Sequence, residues 1–479
     1  MQRRLLAVPA VLLGFSLLVA GCSGKSSGGG SAAAGSTAAG VTTATIVPAG
    51  GSSGSGPRQP AAGAWYTGDL HSHSATHSDD ARRQGGDPIG VTVRVAEHEG
   101  LDFLAGTDHR TNAVLTDPDF VSATMVLLRG MEWGGAMHAG AIGQGAPVQV
   151  TTTQSGAALV AEVDSIVADV HAKGGIFVLN HPTDPKKLWV VDPQGFDAIE
   201  VWNSQWSMRN YQYFTQADLD SQMQGLGLAQ AGIAPNPHMV AALSEQRGGQ
   251  SLQAVAFWES YLNSGRRVPL VGGGDRHMLF PQGRPTTHVY AATRTQQGIL
   301  DGIRAGRTYV SRTPRGPLVD FKADEDGDGI YESLIGDAVA SGRTVRFRIV
   351  VEGADGGRVD LIKRGTVVRS EPVVGNTHVL VVDETPAPGD WYRVDVYEAI
   401  PANIQRSGGL ALHGAQATGQ AWAVIAAVIS MVPSSALDTS LGTVLPTIFL
   451  PDDVDKLLNE SLKDPGYARG AITSPIYAR

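Results

Sequence analysis

Cysteine is nearly absent: Cys22 is the only one among 479 residues. This excludes an intrachain disulfide framework, a Cys-ligated zinc site and an iron–sulfur cluster. Positive charge is in deficit, with 37 basic against 46 acidic residues and a net charge of −9. No overall basic field therefore draws in nucleic acid or an anionic membrane surface, and sequence-specific nucleic-acid binding is not expected. Long apolar runs are lacking too: Leu5–Ala20 and Ala421–Val432 both fall short of the ~20 residues that a spanning helix needs. What is abundant is glycine, at 60, and histidine, at 13. Thirteen imidazoles beside one thiol mean that any bound metal is held by nitrogen and carboxylate oxygen. The length suits two to three domains at roughly 100–200 residues each.

The first 22 residues place Arg3 and Arg4 before an apolar run that ends Val19-Ala20-Gly21-Cys22. A basic start, a short apolar core and small residues before a cysteine resemble a bacterial lipoprotein signal. The resemblance implies a signal peptide over 1–21, lipid on Cys22, attachment to a membrane through that lipid and an extracytoplasmic place in the cell envelope. The other reading is an ordinary signal peptide with an incidental cysteine. Residues 22–63 are almost wholly Gly, Ser, Ala, Thr and Pro. Such a coil reaches roughly 35 Å and serves as a tether.

Globular composition begins at Ala64. Short apolar runs recur, each ending in polar or ionisable residues: Trp65–His71, Phe103–Asp108, Met125–Glu132, Ile176–His181, Ala198–Asn203, Pro269–Asp275 and His288–Thr293. Helical spacing lies between several of them, as in Thr92–Glu99, Ser155–Lys173 and Ser251–Ser264. Strands alternating with helices predict an α/β fold with a parallel sheet, and seven such runs predict a closed or nearly closed barrel over 64–307. In barrels of this kind the chemistry sits where strands end. Beyond about Thr308 the pattern has period two, as in Thr344–Val351, Val359–Lys363, Thr377–Val382 and Trp391–Tyr397. A small β-sandwich over 308–400 plus 466–479 is expected, interrupted by an apolar helical insertion over 401–465.

The histidines fall at the predicted strand ends. They occur in Asp69-Leu70-His71-Ser72-His73, Thr107-Asp108-His109, Gly130-Met131-Glu132, Asn180-His181-Pro182 and Gly274-Asp275-Arg276-His277, with His138 six residues after Glu132. Alternation along a strand puts His71 and His73 on one face. Histidines and carboxylates converging on one opening are costly to bury together unless cations offset their desolvation and repulsion.

These motifs, in this order over about residues 64–307, resemble the PHP superfamily, named for domains of polymerases and histidinol phosphatase. The matching stretches are 69–74, 100–109, 130–132, 171–182 and 274–277. With a β domain downstream, the whole is similar to the CehA/McbA-type branch, known for carbaryl and carbofuran hydrolases. The resemblance implies a distorted (β/α)7 barrel with two or three divalent ions held by His71, His73, His109, Glu132, His138, His181, Asp275 and His277. A ninth ligand follows the His-x-His in that family; here Asp79 is favoured over His77. The donors suit zinc, manganese or iron.

A metal-dependent hydrolase is therefore expected, in which Glu132 bridges two ions and the water between them ionises near neutral pH to give the attacking hydroxide. Asp69 and Asp108, next to ligating histidines, could orient imidazoles or shuttle a proton, or be buried structural carboxylates. Arg110 and Arg276, with Lys186 and Lys187 after the fourth run, favour an anionic substrate, and a phosphoester leads over a neutral ester or carbamate. A binding protein without turnover is the reading from another class. Residues 202–262 bring Trp202, Trp206, Tyr211, Tyr213 and Phe214 after the fifth run, either as a lid or as core. In the β domain, Asp324, Asp326 and Asp328 alternate as in calcium loops. They could hold a structural Ca²⁺ or form an acidic hairpin turn.

Overall fold

The computed structural model describes residues 62–203, 213–245, 249–277, 281–400, 437–438, 447–448 and 467–479. The leader, Cys22, the tether up to residue 61, Trp206 and Tyr211 lie outside the described residues. So does the expected helical insertion, apart from two short antiparallel strands, Leu437–Asp438 and Thr447–Ile448. The described residues fall in one compact unit. No helix among the described residues is long and apolar enough to cross a membrane.

The architecture is mixed α/β. Strands β1 (Ala64–Asp69), β2 (Phe103–Gly106) and β3 (Val126–Gly134) pair in parallel. β4 (His138–Ile142) runs antiparallel to both β3 and β5 (Ile176–Leu179), and parallel pairing resumes with β6 (Ala198–Asn203) and β7 (Leu270–Gly273). Past its end, β7 returns to β1. Ser72 and Arg276 form a parallel bridge, Asp275 N donates to His71 O over 2.8 Å, and His73 N donates to Arg276 O over 3.1 Å. Phe103, Leu128, Ile142, Val178, Ala198 and Val271, one from each of β2 to β7, share a single buried cluster. Burying such side chains at ~25 cal/mol per Å² is what holds the strands in this order.

The expected set of seven parallel runs needs correction. His288–Thr293 belongs largely to β8 (Thr286–Ala291), which lies antiparallel on the other edge of β1. The place between β3 and β5 is taken by β4, whose sequence His-Ala-Gly-Ala-Ile carries too few β-branched or aromatic residues to announce a strand.

Helices cover the sheet with apolar faces. Ile89–Glu99 buries Ile89, Val93 and Ala96 against Leu104, Val114 and Phe120, and stops at Gly100 in the left-handed conformation, φ 80°. Ala157–Ala172 buries Leu159, Val163, Ile166 and Val170. Trp202 and Phe214 are also buried, while Tyr213 is exposed, so the described aromatics after β5 are mostly core.

The remaining strands are β9 (Thr308–Ser311), β10 (Leu318–Asp324), β11 (Ser333–Leu334), β12 (Ala338–Val339), β13 (Val345–Glu352), β14 (Arg358–Lys363), β15 (Thr366–Pro372), β16 (Thr377–Glu384) and β17 (Trp391–Ala399). One sheet has the order β11-β10-β13-β16. The other β strands extend the first sheet, because β9 pairs with β8 and with Tyr467–Thr473, which pairs in turn with β17. No sheet edge therefore falls at the 307/308 boundary expected from sequence. Contacts across that boundary include Arg393 Nη2 to Glu259 Oε1 at 2.6 Å and Leu270 N to Ser474 Oγ at 3.1 Å.

Candidate metal centre

Seven of the nine residues named as ligands sit at the ends of β1, β2, β3, β5 and β7 or just beyond them, and His138 opens β4. Pairing of β3 with β4 sets Glu132 opposite Gly140 and Gly134 opposite His138, so one hairpin carries two of these groups. Three of the four non-glycine residues with positive φ among the described residues lie here: Arg110 (47°), His181 (24°) and Asp275 (48°). Left-handed backbone costs a side-chain-bearing residue of order 1–3 kcal/mol, and such strain persists where surrounding structure enforces it.

Glu132 is the hub. Its Oε1 lies 2.9 Å from His181 Nε2, 3.1 Å from His71 Nε2 and 3.1 Å from His138 Nδ1. Its Oε2 lies 2.7 Å from His109 Nδ1 and 3.6 Å from His73 Nε2. Asp275 Oδ1 stands 3.1 Å from His73 Nε2, 3.3 Å from His277 Nδ1 and 3.4 Å from His71 Nε2. Four overlapping groups can each converge on one ion: His73 with His109 and His277; His71 with His181 and Asp275; His71 with His73 and Glu132; and His109 with Glu132 and His138.

Electrostatics divide the histidines: the carboxylates around them outweigh burial and raise His71, His109, His181 and His277, whereas His73 and His138 are lowered. Burial alone would raise the Glu132 carboxyl, but His138, His71 and His109 outweigh it and hold the group well below the usual carboxylate range. Burial, together with His277 and His109 nearby, holds His73 well below the usual imidazole range, leaving it neutral with a lone pair to donate. Glu132 Oε2, His73 Nε2 and His138 Nδ1 are buried and, though close to one another's partners, make no well-aligned hydrogen bond among the described residues. Buried polar atoms without partners are uncommon, and here they are all nitrogen or oxygen atoms turned to one centre. The residues therefore fit divalent ions.

The ninth position differs from the sequence expectation. Asp79 points away: its side chain is 76% exposed and paired with Arg82 at 3.1 Å. His77 Nε2 is 2.6 Å from Asp117 Oδ2 and also stands apart. Asp80 takes the place, with Oδ2 2.8 Å from His109 Nε2 and 3.2 Å from His277 Nε2. The helix Asp79–Arg83 rotates successive side chains by about 100°, so a one-residue shift separates solvent from the centre.

Arg276 is corrected as well. It is buried and its Nη2 is 2.5 Å from Asp87 Oδ2, so its charge is neutralised within the fold. Arg110 is exposed next to His109, its backbone N–H bonded to Glu132 O over 2.8 Å. Lys186 is exposed and Lys187 half-buried.

Asp69 and Asp108 organise the strand ends. Asp69 accepts N–H bonds from His71, Gly274 and Gly283 at 3.0, 2.9 and 2.8 Å, yet burial pushes its carboxyl up to about 6. Asp108 accepts from Ser74 N at 2.6 Å, Ser74 Oγ at 2.7 Å and Ser78 Oγ at 2.7 Å. Ser78 Oγ is in turn 3.3 Å from His73 Nδ1, so Asp108 acts on that imidazole through a hydroxyl. With their oxygens engaged in this way, both carboxylates brace the strand ends that carry the histidines.

Sequence reasoning missed Glu200. Buried in β6, its Oε1 lies 3.0 Å from His71 Nδ1, while its Oε2 accepts from His181 N at 2.7 Å and Asn203 Nδ2 at 3.0 Å. A single carboxylate inside the apolar run Ala-Ile-Glu-Val-Trp was the available signal. In the β domain, Asp324, Asp326 and Asp328 do cluster, but both Asp324 oxygens accept backbone N–H groups, from Gly327 at 2.7 Å and Gly329 at 3.0 Å.

No family model and no curated protein matches the chain. Solved structures similar to it include a two-domain protein containing a predicted PHP-like metal-dependent phosphoesterase. That protein is from Bacteroides vulgatus; identity is 15% over 73% of this chain and 95% of that one, with a TM-score of 0.32. PsfC from Pseudomonas syringae is 14% identical over 51% of this chain and 90% of its own, with a TM-score of 0.31.

Proposed function

We propose that the chain is a metal-dependent hydrolase of phosphoesters, with β1–β7 as the ring of a PHP-type barrel and two or three zinc, manganese or iron ions at its mouth. The observation that carries this reading is Glu132, one buried carboxylate within 3.6 Å of nitrogens from five histidines. Histidines do not crowd an anion this way for stability alone, because each must lose its solvation.

His71, His73, His109, His138, His181, His277, Asp80, Glu132 and Asp275 would hold the ions. When bound, divalent ions supply Lewis-acid polarisation and a water acidic enough to attack near neutral pH. Glu200 takes the Nδ1 side of His71 and leaves Nε2 turned to the centre, which fixes the tautomer. The Asp108–Ser78 pair does the same for His73. His71, His73 and Glu132 are almost wholly buried, whereas the His138 and His109 side chains are 12% and 19% exposed, so substrate enters on the His109–His138 side. Arg110, exposed beside His109, offers an anionic group its first contact there.

The neutralisation of Arg276 by Asp87 removes one cation from the substrate surface, and this favours an ester or carbamate hydrolase as the second reading. One experiment addresses both. Elemental analysis of the purified chain is expected to find at least two divalent ions per molecule. Turnover is expected with p-nitrophenyl phosphate or bis-p-nitrophenyl phosphate and not with p-nitrophenyl acetate or carbaryl alone. Less than one ion per chain would sink the metal centre; turnover of only the neutral substrates would replace the phosphoester reading by the second one.

A further inference from the structure

Two cations flank the open side of the centre, and neither forms an ion pair among the described residues. Arg110 follows His109 directly, and Lys187 lies against the β3–β4 hairpin that carries Glu132 and His138. The Lys187 ammonium donates to Gly135 O in the turn of that hairpin. Among the described residues no carboxylate lies within ion-pair distance of either cation, in contrast to Arg276 with Asp87. Lys187 feels the carboxylates of Asp184 and then Glu132, with Arg110 opposing them, and His138 feels Lys187 in turn. His138 and His109, which reach solvent alongside the more exposed Asp80, thus each have a cation beside them.

An ammonium has three donors, and the turn carbonyl takes one. Half-burial keeps the stem in place and the head at the rim. Two cations of like sign repel unless something anionic sits between or above them.

We propose that Lys187 and Arg110 form an anion subsite on the His109–His138 side, where Lys187 is the residue that grips the phosphoryl oxygens of the substrate. This rests on the hydrolase reading for its substrate class, but the subsite itself is testable without turnover, using inorganic phosphate as the probe.

Phosphate is titrated calorimetrically into the purified, metal-containing full chain. Measurable binding is expected in the wild type, weaker by about tenfold or more in Lys187→Met and recovered in Lys187→Arg, because one charge-assisted hydrogen bond is lost and regained. Metal content by elemental analysis is expected to stay level across the three. Gln222→Ala separates charge from scaffolding: the Gln222 amide also braces this turn, donating to Ala136 O over 2.8 Å, but carries no charge. Its phosphate affinity is expected to stay within about twofold of wild type. The subsite is overturned if the wild type binds no phosphate, if Lys187→Met binds as well as wild type, if metal is lost along with phosphate, or if Gln222→Ala weakens binding as much as Lys187→Met. If phosphoesters are turned over, KM for p-nitrophenyl phosphate should rise in Lys187→Met by more than kcat falls. If they are not, the function is wrong and the phosphate titration still decides the subsite.

Discussion

A carboxylate one position along a helix decides whether it faces water or a metal centre. Asp80→Ala is expected to lower bound metal by at least one ion per chain, while Asp79→Ala retains the wild-type content, both read by elemental analysis; full occupancy in Asp80→Ala would take that residue out of the centre. Glu200→Gln keeps the shape but removes the charge that faces His71 and His181. Loss of an outer partner of this kind costs about 10–100-fold in metal affinity, measurable by competition with a chelating dye, and unchanged affinity would show that Glu200 is only packing. The eight motif residues that the structure brings together were legible because they sit at or near strand ends. Asp80 was not, because sequence spacing cannot say where a helix of five residues begins its turn. Glu200 was hidden for another reason: its partner His71 is 129 residues away, and only the sheet brings them together.

At the scale of elements, the β3–β4 hairpin is the part on which most depends. It carries Glu132 and His138, lies under the turn braced by Lys187 and Gln222, and reverses at Gly134, whose φ is +110°. A Cβ at Gly134 would run into the carbonyl of Met137, so Gly134→Ala cannot be absorbed by a side-chain shift. We expect a loss of about 2–4 kcal/mol in urea unfolding, from backbone strain with the added clash, together with lost metal. Stability within 0.5 kcal/mol of wild type would show that the turn is not fixed. The period-two strands from β13 onward could be read from alternating residues such as Val345, Phe347, Ile349 and Val351, all buried. β4 could not, since its strand conformation is imposed by the neighbours on both edges and not by its own Ala and Gly residues.

Across the whole molecule, β8 links β1–β7 to the strands that follow. His288 in β8 is buried, stacks on Tyr309 with 4.2 Å between ring centroids, and has Nε2 2.7 Å from Ser311 Oγ. Burial pushes its imidazole from 6.5 down to about 3. The native chain therefore binds fewer protons here than the unfolded chain, so this group's contribution to stability falls as pH drops below about 6.5, by up to about 1.4 kcal/mol per pH unit, until the imidazole protonates near 3 in place. Between pH 7.5 and pH 5, His288→Gln should lose about 2 kcal/mol less than wild type in urea unfolding. An equal loss in both proteins would mean that His288 binds its proton as readily in the native chain as in the unfolded one. The continuity of the sheet through β8 and β9 was not legible, because the change from helical spacing to period two after Thr308 looks like a domain boundary whether or not the strands on either side pair.

The strand Tyr467–Thr473 has a consequence for the order of assembly. It is inserted between β9 and β17, and Ser474 just beyond it bonds Leu270 at the start of β7, 204 residues earlier. β7 leads into Asp275 and His277. A growing chain can therefore make every ligand and still leave the wall behind two of them unsupported, so capture of metal before residue 474 has been synthesised would engage an unfinished cage.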